Sequence, residues 1–148
     1  MLRCATRAAI ALLSTLSALP CLSQTWQEKV VAAVLLGEAA NQGQQGMIAV
    51  AEVIDTRCTQ KHSMPYQVVT KRRAFACLDH TTPERLVRKW QGNAYYPWAL
   101  QLAQLRSLPG IAHGATHFTR SNEKPSWALK NKPVAVIGRH AFYRLAQY

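Results

Sequence analysis

A chain of 148 residues has room for one domain of ordinary size, built around one hydrophobic core. Eighteen Lys and Arg against seven Asp and Glu give a formal charge of +11, a field that favours polyanionic partners. In an exported protein those partners are acidic envelope polymers and not nucleic acid, and only the first stretch of the chain is apolar for long enough to raise the question of a membrane.

That first stretch reads as an address. Arg3 and Arg7 make a positive start, and Ala8 to Leu19 form an apolar segment too short to span a bilayer as a helix. Pro20 breaks it, and Cys21-Leu22-Ser23 places small residues where a signal peptidase reads. Residues 1–23 are therefore expected to be a secretory signal peptide and 24–148 the functional domain, periplasmic or secreted. Pro20 sits where a small residue is wanted before a lipidated cysteine, which argues against a lipid anchor on Cys21. Cys58 and Cys77 remain after cleavage, and in an oxidising compartment two cysteines predict a disulfide, worth about 3 kcal/mol on the chain-entropy model.

Thr25 with Glu28 is a capping-box pattern, and Trp26, Val30, Ala33 and Val34 follow at helical spacing, so a helix is expected from about 26 to 40 with Glu38 in its last turn. Asn41 to Gly46 is polar and carries two glycines, a loop before a second helix over about 45–57 whose body is almost wholly apolar. Pro65 opens a short helix. The basic run Lys71-Arg72-Arg73 and the segment to Cys77 are expected to be irregular, and with Arg57 and Lys61 they form a local basic region that reads equally as a solvated face. Thr82-Pro83 caps a helix ending near Trp90, and Pro97 opens another through Leu108, stopped by Pro109-Gly110. Beyond Gly114 the pattern changes to strands, at Ala115 to Thr119 and Pro133 to Ile137, with a closing Phe142-Tyr143 segment. The fold class is thus α+β, mainly helical, with a small β-rich flap at the C-terminal end.

These residues resemble a known family. Gly37-Glu38-Ala39, Gly46, Ala49-Val50-Ala51 and Val53-Ile54 ending at Arg57 look like the opening signature of the SleB-type (SleB/CwlJ) cell wall hydrolases. Phe75-Ala76-Cys77, Gly114-Ala115-Thr116-His117-Phe118, Pro125-Ser126-Trp127-Ala128 and Ile137 to Tyr143 follow in that family's order, covering about Ala32 to Arg144. The resemblance implies a lysozyme-like fold and cleavage of peptidoglycan between N-acetylmuramic acid and N-acetylglucosamine, with Glu38 as general acid. It further implies a lytic transglycosylase that leaves 1,6-anhydromuramoyl ends, and a saccharide groove lined by Thr116, His117 and Phe118. Phe75, Trp127, Gln42 and His140 are further candidates for substrate binding, since sugar rings stack on aromatic planes and present hydroxyls to polar groups. An envelope assembly or an inhibitor protein would be a further partner.

The chemistry is consistent with the residues themselves. Protonating a glycosidic oxygen needs a carboxylic acid in an apolar setting, and Leu35, Leu36, Ala39 and Ala40 surround Glu38 in sequence. A two-carboxylate glycosidase needs a second acid roughly 5–10 Å away. Glu28, Glu52, Asp55, Asp79, Glu84 and Glu123 are the others after residue 23, and none lies in a motif that pairs carboxylate with function. The family often has a basic residue, a glycine and a second glutamate after Gly-Glu-Ala, whereas Ala40, Asn41 and Gln42 stand here. That favours transglycosylation, in which the substrate's own hydroxyl replaces the second acid. Glu52 stands where a small apolar residue is usual and is either a buried acid facing the cleft or a salt-bridged surface group.

Two other classes of function compete. His113, His117 and His140 could hold a catalytic zinc for amide hydrolysis of murein, though four-residue spacing aligns ligands on a helix and this segment reads as a strand. Cys58, Cys77 and His80 could hold a structural metal. A basic, non-catalytic murein-binding module is the third possibility, against which the presence of Glu38 counts. The glycan-cleaving chemistry requires no metal or organic cofactor.

Overall fold

The computed structural model describes residues 24–104 and 107–146. The expected signal peptide lies outside these residues.

Helix α1 (Trp26–Ala39) is the axis of the molecule, in contact with α2 (Gly43–Lys61), α3 (Pro65–Thr70), α4 (Pro83–Trp90) and α5 (Tyr96–Gln104). Its sequence is apolar on every side from Val30 to Leu36, which suits a helix surrounded by others and not an amphipathic surface helix. The capping box is formed. Thr25 Oγ1 accepts the Glu28 N–H at 3.2 Å, and Glu28 Oε2 accepts the Thr25 N–H at 2.8 Å. A single 3-10 turn over Ala40–Gln42 joins α1 to α2, in place of the longer loop the two glycines suggest. Thr82 and Pro83 open α4 as the sequence indicates, the Thr82 hydroxyl accepting the Arg85 N–H.

The C-terminal part is a three-stranded antiparallel sheet in the order β1 (His117–Arg120), β3 (His140–Tyr143), β2 (Ala135–Ile137). A one-turn helix α6 (Ser126–Leu129), not foreseen from sequence, lies between β1 and β2. Register sorts the strand residues into two faces, because His140 pairs with Arg120 and Tyr143 with His117. Phe118, Arg120, His140 and Phe142 share one face. His117, Ala141 and Tyr143 share the other, where Trp127 of α6 packs at a tilt against His117 at 5.4 Å and meets Tyr143 edge-on at 5.3 Å. Phe142 is fully buried in the main core, whereas Ala128, Ala141 and Tyr143 form a small separate cluster. The sheet therefore has an inner face toward the helices and an outer face covered by α6.

Two buried charged residues of α2 tie it to later parts of the chain. Arg57 donates from Nε to the Thr116 carbonyl at 2.7 Å and from a terminal nitrogen to the Ala74 carbonyl at 3.2 Å, with its guanidinium 5.0 Å from the Phe75 ring. It is not part of the exposed basic region to which the sequence assigns it; Lys61, Lys71, Arg72 and Arg73 are. Glu52 faces neither cleft nor cation. Its carboxylate accepts the N–H groups of Gly110, Ile111 and Ala112 at 2.6, 3.0 and 2.6 Å, tying the turn after α5 to α2.

Candidate functional site

Gly37 and Glu38 occupy the last turn of α1, and the absence of a side chain at Gly37 shapes what stands over it. A Cβ there would lie 2.8 Å from the Cys77 Cβ, so only glycine lets the 3-10 turn Ala76–Leu78 rest on α1. That approach brings the Cys77 N–H to Glu38 Oε1 at 2.8 Å and fixes one carboxylate oxygen. Burial and the neighbouring Glu38 carboxylate push the Cys77 thiol well above the usual cysteine range, so it is a neutral thiol and not a nucleophile.

The disulfide expected between Cys58 and Cys77 is not formed. Cys77 Sγ is instead taken up in the packing of the turn on α1, 4.0 Å from the Val34 carbonyl oxygen.

Glu38 opens into a cleft of about 630 Å³. The helical wall supplies Gly37, Glu38, Asn41, Gln42 and Trp90, and the opposite wall is Arg120-Ser121-Asn122 at the end of β1 with Arg139 and His140 of the β2–β3 hairpin. Among the described residues lining it, Glu38 is the one carboxylate. Gln42 bridges the two walls, its Oε1 accepting the Arg139 N–H at 2.7 Å while Nε2 donates to Asn41 Oδ1 at 2.6 Å. Both polar atoms of its side chain thus have partners within the protein.

His140 is buried on the inner face, against Phe118 at 5.3 Å, and its Nδ1 has no hydrogen-bond partner. Burial and the adjacent Arg120 and Arg139 hold its pKa below the ordinary histidine value, so the ring is neutral near pH 7. Trp90 lines the cleft beside Gly37 with an unpartnered indole N–H, and the Lys89 ammonium lies 5.3 Å from its ring.

The remaining sequence candidates are placed elsewhere. Thr116 is fully buried, its hydroxyl among His117 Nδ1 and the Tyr143 and Leu145 carbonyls and its own carbonyl on Arg57, so it presents no surface to a ligand. Phe75 is a core residue packed between Arg57 and Phe118. Phe118 lies beneath His140, and His117 and Trp127 are on the outer face. Of the seven residues proposed for substrate binding, Gln42 and His140 line the cleft with Glu38.

The histidine metal site is also corrected. His117 and His140 lie on opposite faces of the sheet, three ladder steps or roughly 10 Å apart along it. His113 is in an exposed turn with φ +50, and its carbonyl accepts from the Arg144 guanidinium. Among the described residues no three His, Cys, Asp or Glu side chains are grouped to hold a metal, the set Cys58, Cys77 and His80 included.

Trp90, Arg120, Asn122 and Arg139 were not foreseen from sequence. Three of them lie in or beside turns whose position depends on the sheet docking against α2, and no local pattern reports that. Trp90 ends a helix in a way indistinguishable from an ordinary core aromatic.

Residues 41–143 match the family model described as Cell Wall Hydrolase, from Asn41, just past Glu38, to the end of β3. No curated protein and no solved structure matches the chain.

Proposed function

The chain belongs to the cell wall hydrolase family, whose substrate is peptidoglycan, and on that footing we propose that it cuts the glycan strand between N-acetylmuramic acid and N-acetylglucosamine as a lytic transglycosylase. The observation that carries this reading is the solitary carboxylate: Glu38, held by the Cys77 N–H, in a cleft whose other charged groups are Arg120 and Arg139.

Glu38 transfers its proton to the glycosidic oxygen as the bond from that oxygen to C1 of muramic acid breaks. Positive charge develops at C1 and on the ring oxygen. The 6-hydroxyl of the same sugar then attacks C1, and its proton passes to the Glu38 carboxylate, closing the 1,6-anhydro ring and restoring the acid. No water is consumed, so no second carboxylate is required to activate one. Oε1 stays with the Cys77 N–H and Oε2 carries the proton. Trp90 offers part of its indole face to a sugar ring, and the neutral His140 offers its second ring nitrogen. The work is done outside the cytoplasm, after removal of residues 1–23.

The test is mass spectrometry of the soluble products released from purified peptidoglycan. Anhydromuropeptides are the expected result; reducing-end muropeptides would mean a hydrolase that activates water, and freed stem peptides would overturn glycan cleavage altogether.

A further inference from the structure

The cleft of Glu38 shares a wall with a second depression, which in turn borders a third. Gly37 and Trp90 also line a neighbouring depression of about 290 Å³, together with His80, Arg85 and Lys89. His80 in turn lines a third, of about 450 Å³, with Lys71, Arg72 and Arg73. Arg85 and Lys89 are one turn apart on the same face of α4, while Arg88 lies near Glu84. Among the described residues lining these two depressions, Asp79 is the one acid. Arg73 is exposed and holds φ +60, a conformation that glycine would adopt more cheaply by about 1 kcal/mol.

We propose that these two depressions form an exosite for the carboxylates of peptidoglycan stem peptides, gripping the strand beyond Trp90 while Glu38 cuts it. The proposal rests on the glycan-cleaving reading and extends it. A neutral saccharide gains nothing from this row of cations, but stem peptides carry carboxylates along the very polymer that occupies the neighbouring cleft. The exosite therefore ties affinity to peptide-bearing glycan, and exposed charges make that affinity sensitive to salt.

The experiment is co-sedimentation with insoluble peptidoglycan at low and high salt, comparing the wild type with the Arg72→Gln, Arg73→Gln, Arg85→Gln triple variant, whose folding is checked by thermal melting. The variant should bind about ten-fold more weakly at low salt, lose little more at high salt, and cleave short peptide-free glycan oligomers at the wild-type rate. Coupling the peptidoglycan carboxyls to glycinamide should reduce wild-type binding to the level of the variant. Equal binding of the two proteins overturns the proposal. So does wild-type binding that survives carboxyl coupling and is lost when wall-linked phosphate polymers are stripped with acid, which would make the ligand a polyphosphate. Absence of any cleavage by the wild type defeats the glycan-cleaving reading alone, since sedimentation still decides the exosite.

Discussion

The side-chain oxygen of Gln42 accepts the backbone N–H of Arg139 at 2.7 Å, across 97 residues of sequence, and so fixes the hairpin wall of the cleft against the helical wall that carries Glu38. Gly138 completes the joint. Its φ is +59, and a Cβ there would lie 2.5 Å from Gln42 Oε1.

Replacing Gln42 by Ala removes that bond and the exposed one to Asn41 Oδ1, each worth about 0.5–1.5 kcal/mol, and should lower the melting temperature by several degrees. Activity should fall further than stability, about ten-fold, because a displacement of Arg139 and His140 by about 1 Å misplaces the wall facing the acid. Melting and kcat/KM measured on the same preparation check this. If Gln42→Ala alters neither, the bond does not position the cleft.

Glu38→Gln keeps the oxygen that accepts the Cys77 N–H and removes the proton donor. The variant should melt within about 1 °C of the wild type and bind peptidoglycan normally, while release of muropeptides falls by at least about 10²-fold. Turbidity loss of a peptidoglycan suspension measures it, and retained activity would remove Glu38 from the mechanism.

How far the sequence anticipates this arrangement differs between the helices and the sheet. Period, capping residues and prolines are local signals, so α1 and α4 were legible nearly to the residue. The class of the C-terminal part was legible too, from its β-branched and aromatic runs. Strand register was not: it depends on which residue of β1 faces which of β3, and that pairing sends His140 inward and His117 outward. Thr116, Phe75 and Trp127 carried the motif yet pack against neighbouring side chains, and no disulfide joins Cys58 to Cys77 where the cysteine count suggested one. The basic run at 71–73 and the charge of α4 were visible in the sequence, whereas their common boundary with the cleft through His80, Gly37 and Trp90 is a product of folding.

Glu52 holds three backbone N–H groups in a largely buried setting. Glu52→Ala strands all three and should cost about 3 kcal/mol or more, as the shift in midpoint of a urea titration. Glu52→Gln keeps acceptor capacity on one oxygen only and should cost less. An Ala variant as stable as wild type would show that the turn at 110–112 finds other acceptors.

Both His117 and His140 have pKa values lowered by burial first, with nearby arginines adding to it: Arg57 for His117, and Arg120 with Arg139 for His140. A lowered folded-state value means that below about pH 6.5 the unfolded chain binds the protons more readily than the native one. Their contribution to stability is therefore complete above that pH and is lost as pH falls through the lowered native values. Urea midpoints should decline between pH 7 and pH 5, before ordinary carboxylates begin to titrate. The decline should be shallower in His140→Asn and shallower again in the His117→Asn, His140→Asn double variant, whatever the loss in stability at pH 7. Profiles parallel to the wild type in both variants would place the acid sensitivity elsewhere.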